Sequence, residues 1–133
     1  QGPLNKIASG GELARFMLAL KVNLAQSSSV ATMIFDEVDA GVGGATAQAV
    51  GERLARLARD VQVLVVTHSP QVAACGNNHF KVEKSTAGNV TTTTVRELTK
   101  IEKSEEIARM LAGEVITDAA RAAAKVLMKE KSA

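Results

Sequence analysis

Apolar residues recur along this chain with two different periods, and the switches between them mark its elements. Leu13, Phe16, Met17, Leu20 and Leu24 are spaced three and four apart, the spacing that turns one stripe of a helix toward a core. Just upstream, Ser9 and Glu12 form a capping-box pattern, in which each side chain satisfies an orphan backbone N–H of the other. A helix is therefore predicted from Ser9 to about residue 26. The run Val30-Ala-Thr-Met-Ile-Phe35 has no helical period and no charge, which predicts a strand covered on both faces.

A second helix is predicted over 45–59, burying Ala47, Val50, Leu54, Leu57 and Ala58. Val61-Gln-Val-Leu-Val-Val-Thr67 then reads as another buried strand. Strand, helix and strand at this spacing imply a right-handed crossover, so the two strands run parallel and end on one edge of a sheet. Pro70 opens a short helix through Cys75, with Ser69 as cap and Gly76 as stop. Residues 79–83 and 90–98 alternate around a turn over 85–89, a hairpin signal that puts His79, Lys81 and Lys84 on the solvent side. Two closing helices follow. The first is capped by Ser104, turns Ile107, Met110 and Leu111 inward and stops at Gly113. The last runs from Thr117 to about Lys131 with Ala120, Ala123, Ala124, Leu127 and Met128 inward and Arg121, Lys125 and Lys129 outward.

Composition narrows the class without fixing a partner. The 133 residues allow one domain with a real core. Sixteen basic and 14 acidic residues leave a net charge of +2, too balanced to argue for nucleic acid by itself. Three Phe with no Trp or Tyr disfavour base stacking. A single cysteine, Cys75, and no apolar run of membrane length point to a soluble protein of a reducing, cytoplasmic compartment. Gln1-Gly-Pro3 is either native or a cloning remnant, and the chain reaches a motif so soon after it that the expectation is a piece of something longer.

Chemistry gathers where the strands end. The first strand runs into Asp36 and Glu37, followed by Asp39, Gly41, Gly43 and Gly44. Ligands of open parallel sheets bind at the carboxyl edge, and two adjacent carboxylates in such a crevice persist as anions beside a cation or strong donors. Magnesium and a nucleotide phosphate would meet that need; the plain alternative is an acidic loop after a core strand. Gly10 and Gly11 in the first turn of a helix lower its stability, yet they let an anion approach the free N–H groups and positive end of the helix. His68 ends the second strand at the same edge as the acids. Arg53, Arg56 and Arg59 lie on the outer side of the second helix, read first as a solvated face and second as a DNA contact.

These motifs together resemble the SMC-like branch of the ABC ATPases. Ser9-Gly-Gly-Glu12 resembles the ABC signature, Met33-Ile-Phe-Asp-Glu37 a Walker B strand with its catalytic Glu, Asp39-Ala-Gly41 the D-loop, and His68 the switch histidine. Within that branch, Lys6-Ile-Ala-Ser-Gly-Gly-Glu-Leu-Ala-Arg15, Phe35-Asp-Glu-Val-Asp-Ala-Gly-Val42, Val66-Thr-His-Ser-Pro-Gln-Val-Ala-Ala74 and Glu106-Ile-Ala-Arg-Met-Leu111 are similar to the carboxyl-terminal part of the RecN family of bacterial DNA repair ATPases. Ser69, where Leu is expected, and Gly43, where Ser is common, are small departures.

The resemblance implies an α/β fold over 1–133, the carboxyl-terminal lobe of an ABC-type P-loop NTPase head, with parallel strands, a crossover helix, a hairpin and two C-terminal helices. No Gly-x-x-x-x-Gly-Lys-Ser/Thr loop occurs; in the family the Walker A lobe lies amino-terminal, beyond a long coiled coil. The implied cofactors are ATP and Mg2+, and the implied activity is ATP hydrolysis in double-strand break repair and recombination. Asp36 would hold magnesium through a water, Glu37 would activate the attacking water, and His68 would contact the γ-phosphate. Ser9, Gly10, Gly11 and Glu12 would bind nucleotide held by a second copy of the head, with Asp39 signalling across that dimer. Implied partners are this second head, the chain's own Walker A lobe and DNA, in the cytoplasm at the nucleoid and away from membranes. A non-catalytic dimerisation or DNA-contact module, a chromosome SMC protein and a transporter subunit are the alternatives.

Overall fold

A computed structural model describes residues 31–113 and 115–129. The helix predicted from Ser9, with Gly10, Gly11 and Glu12, lies outside them. The chain divides into two compact units, Gln1–Cys75 and Gly76–Ala133.

The first unit contains β1 (Thr32–Asp36), α1 (Gly44–Leu57), β2 (Gln62–Val66) and α2 (Pro70–Cys75). β1 and β2 pair in parallel, from Thr32 opposite Gln62 to Asp36 opposite Val66, as the crossover spacing predicts. A core of Phe35, Ala47, Val50, Leu54, Leu57 and Val72 packs with Met33, Val63 and Val65. Successive strand residues point to opposite faces, so the helices cover only the face carrying Met33, Phe35, Val63 and Val65. On the other face Ile34 is 65% exposed and Leu64 and Val66 48% each. The expectation of strands covered on both faces is therefore corrected for the described residues: the apolar run is there, but helices are packed on one side of it.

Ala58, expected in the core, is exposed. α1 ends at Leu57, and Ala58 sits in the turn behind it, donating its N–H to the carbonyl of Leu54 at 2.9 Å. Gly51 is required by close packing. A Cβ at this position would lie 2.8 Å from Cys75 Sγ and 3.1 Å from the Val72 Cα, so the missing side chain lets α1 and α2 approach. Cys75 is buried, the small apolar filler expected of it.

The second unit contains β3 (Phe80–Ala87), β4 (Val90–Glu97), α3 (Lys100–Ala112) and α4 (Asp118–Lys129). β3 and β4 are antiparallel, with Ala87 opposite Val90. The loop is thus only Gly88 and Asn89, and Ser85 to Ala87 belong to the strand instead of the turn. Gly88 has φ +61 and Asn89 is not left-handed, the type II′ arrangement whose twist suits a two-residue hairpin.

α3 begins four residues before the predicted Ser104. Thr99 is its cap: the Thr99 hydroxyl accepts from the Glu102 N–H at 3.3 Å, and the Glu102 carboxylate accepts from the Thr99 N–H at 2.8 Å. Ile107 is fully buried, while Leu111 is exposed. On α4, Ala120 and Ala124 are buried, Leu127 and Met128 are half-buried and Ala123 is exposed.

The predicted solvent side of the hairpin is also revised. Lys84 is exposed, but His79 and Lys81 are half-buried, because their face turns toward α3. Lys81 pairs with Glu83 at 3.0 Å and with Glu106 at 3.2 Å. Burial, together with the Lys103 charge, lowers the His79 pKa, partly opposed by Glu106. Lys103 is buried and donates to the carbonyl of Gly76 at 2.6 Å. Arg121 is bound to Glu105 and Asp118, each at 3.1 Å, so it is no member of a freely solvated row.

Candidate functional site

The parallel register decides what meets at the carboxyl edge of the first unit. Asp36 is the last residue of β1 and pairs with Val66, the last of β2. The ladder continues one step further, with the Glu37 N–H donating to the Val66 carbonyl at 3.1 Å. Neighbouring strands run about 4.8 Å apart, so Asp36 and Glu37 leave one strand beside the point where Thr67, His68 and Ser69 leave the other. Asp36, Glu37 and His68 are all exposed.

Glu37 has φ +48, the one non-glycine in the left-handed region among the described residues. A side chain there costs about 1–3 kcal/mol. The chain reverses at this point: Ala40 N–H donates to the Glu37 carbonyl at 2.9 Å and Val42 N–H to the Asp39 carbonyl at 3.1 Å. Gly41, with φ +75, supplies a further left-handed position before α1, and Gly44, with φ +52, is the first residue of that helix.

That turn brings Asp39 back against the loop after β2. Asp39 is only 9% exposed. Its Oδ2 accepts from the Thr67 hydroxyl at 2.5 Å and from the Ser69 N–H at 3.1 Å. The same Ser69 N–H reaches the Thr67 hydroxyl oxygen at 2.9 Å, and the Ser69 hydroxyl accepts from the Val72 N–H at 3.4 Å as the expected cap of α2. His68 is therefore flanked on both sides by residues fastened to Asp39.

Of the sequence-derived site, Asp36, Glu37, Asp39 and His68 come together on one edge, while Ser9, Gly10, Gly11 and Glu12 fall outside the described residues. Thr67 and Ser69 were missed as its supports. Their position on either side of His68, both with hydroxyls able to bond a nearby carboxylate, was the available signal. Among the described residues no three of His, Cys, Asp and Glu cluster as a protein-only metal site. Nor is any helix there long and apolar enough to cross a membrane.

The chain is 50% identical over 125 residues to the DNA repair protein RecN of Rickettsia felis, covering 94% of this chain and 23% of that protein. It is 52% identical over 127 residues to RecN of Streptomyces coelicolor and 46% over 127 residues to RecN of Bacillus subtilis, in each case 96% of this chain and 22% of the relative. Over nearly its whole length the chain is similar to RecN proteins. It spans less than a quarter of the curated relatives it matches. No protein-family model matches it.

A solved structure concerned with ATP-driven dimerization and DNA stimulated activation of SMC ATPases superposes with a TM-score of 0.64 at 19% identity, covering 83% of this chain and 66% of that one. The α/β fold expected from the sequence is thus shared with that structure.

Proposed function

We propose that the chain is the carboxyl-terminal lobe of a RecN-like ATPase head, which binds and hydrolyses ATP as part of a longer protein acting in DNA repair and recombination. The observation that carries this reading is the pairing of Asp36 with Val66, which sets the acid pair and His68 on one sheet edge. The 46–52% identity to RecN proteins and the SMC ATPase fold support it.

The donor set fits magnesium held jointly with nucleotide. Mg2+ is commonly bound through one or two carboxylates plus substrate phosphates rather than by an all-protein cage, and Asp36 is an exposed carboxylate without an ion-pair partner among the described residues. When bound, the ion would neutralise charge on the phosphates. Glu37, held outward by its turn, orients the attacking water and takes its proton. His68 contacts the γ-phosphate from the neighbouring strand, and Asp39 keeps the His68 loop in place. Such a division of labour suits phosphoryl transfer, where catalysis is mostly positioning and charge stabilisation.

Ser9, Gly10, Gly11 and Glu12 complete the site of a second head, so that ATP lies between two copies. The Walker A lobe of the same protein supplies the phosphate loop and lies against the β1–β2 sheet. Support for this partner comes from Ile34, Leu64 and Val66, an exposed apolar row, and from a sheet of only two strands among the described residues. Co-expression with the Walker A segment tests the reading: ATP turnover by the pair is expected, and a soluble, well-folded pair that binds no ATP contradicts it.

A further inference from the structure

We infer that Arg53, Arg56 and Arg59 form a contact surface for the phosphate backbone of duplex DNA. The six arginines among the described residues divide into two groups. Arg96, Arg109 and Arg121 each pair with a carboxylate, at 2.6 Å to Glu102, 2.5 Å to Glu106 and 3.1 Å to Glu105. Arg53, Arg56 and Arg59 are exposed, and none has a carboxylate within ion-pair distance among the described residues.

They also form one row. Arg53 and Arg56 lie about 60° apart around the helix and about 4.5 Å apart along it, both exposed, with Arg53 at the edge of the buried stripe of Ala47, Val50, Gly51, Leu54 and Leu57 and Arg56 opposite it. Arg59 continues the row in the turn, where its N–H donates to the Arg56 carbonyl at 3.1 Å. The nearest acid on the helix, Glu52, is engaged by Gln48 at 3.1 Å. Each strand of a duplex offers a phosphate about every 3.4 Å of axis, so separate guanidiniums can meet separate phosphates.

Helix energetics do not explain the row. Arg56, in the last turn, complements the helix dipole, but Arg53 lies a turn earlier and gains little from it. Three guanidiniums with planar donor forks suit phosphate recognition. The inference rests on the proposed role in DNA repair and adds to it the face that meets the DNA.

The test uses the full-length protein and a fluorescent blunt duplex, with anisotropy titrations between 50 and 200 mM salt. Each lost phosphate contact lowers the slope of log affinity against log salt by about 0.9. R53A/R56A/R59A is expected to flatten the slope by about 2.7, so that the salt-driven loss over this fourfold range shrinks by about 40-fold. R53K/R56K/R59K is expected to retain most of the slope. Both variants are expected to keep the far-UV dichroism and the DNA-free ATP turnover of the parent. An unchanged slope in the alanine variant overturns the inference, as does a shift confined to an acidic polypeptide or anionic vesicles used as competing probes. Full ATP turnover with no duplex binding by the parent protein overturns the DNA surface while leaving the ATPase reading standing; loss of turnover in the parent is failure of that reading instead.

Discussion

Asp39 and Thr67, 28 residues apart in the chain, are joined by a hydrogen bond from the Thr67 hydroxyl to Asp39 Oδ2. The bond ties the turn after β1 to the loop after β2, and His68 lies one residue beyond it.

Removing that tie should loosen the loop before it affects the core. Thr67→Val takes away one donor and leaves the nearly buried Asp39 with only the Ser69 N–H; Asp39→Ala strands the Thr67 hydroxyl proton and leaves the Ser69 N–H with only the Thr67 oxygen. Each is expected to destabilise by about 1–3 kcal/mol, read from urea midpoints. A double-mutant cycle should give a coupling of at least about 0.5 kcal/mol, and strict additivity would remove the pair from the account.

Gly51→Ala should be costly although alanine favours helices. The added methyl meets Cys75 Sγ at 2.8 Å and the Val72 Cα at 3.1 Å, an overpacking expected to cost about 1–3 kcal/mol. Combining it with Cys75→Ala should recover part of the loss, because the sulfur is the nearer obstacle. Denaturant unfolding of the two single variants and the double one checks this.

In the second unit, Thr99→Ala should cost about 1 kcal/mol through loss of the helix cap, whereas Ser104→Ala should cost much less. The Thr99 backbone N–H, the Thr99 hydroxyl and Arg96 hold the Glu102 carboxyl down to about 2. A depressed folded-state pKa contributes stability that is present above the ordinary value of 4.5 and is lost as pH falls from there through about 2. Thr99→Ala is expected to weaken this acid-sensitive component, measured as unfolding midpoints across that range.

His79 adds a second pH dependence, in a higher window. Burial and the Lys103 charge lower its pKa below 6.5, so the unfolded chain binds the proton more readily. Stability is therefore complete above 6.5 and is lost as pH falls through the lower folded-state value. His79→Gln should flatten the melting temperature against pH just below 6.5, and an unaltered profile would rule out the assignment.

Much of this could be read in the sequence where periodicity and turn chemistry agreed. The parallel pair, the crossover helix and the hairpin follow from runs such as Val61-Gln-Val-Leu-Val-Val-Thr67 and from glycines after Asp39. The cap of α3 was misplaced because Ser104 competed with the stronger Thr99–Glu102 box three residues apart. Burial of individual strand residues was less legible. Ile34 and Phe35 look alike in sequence, yet one is 65% and the other 1% exposed, since alternation assigns them to opposite faces and only one face meets the helices. The support of His68 by Asp39 depends on contacts across 28 and 30 residues, which local patterns do not encode.

The central claim is that the exposed, left-handed Glu37 drives hydrolysis at an edge shared with His68. Single-turnover ATP hydrolysis by the full-length Glu37→Gln protein, followed alongside light scattering, tests it most directly. The account predicts hydrolysis slowed by about 10²–10⁴-fold, the usual worth of a positioned general base, with ATP still bound and head dimers accumulating. Hydrolysis at the parental rate in that variant would contradict it.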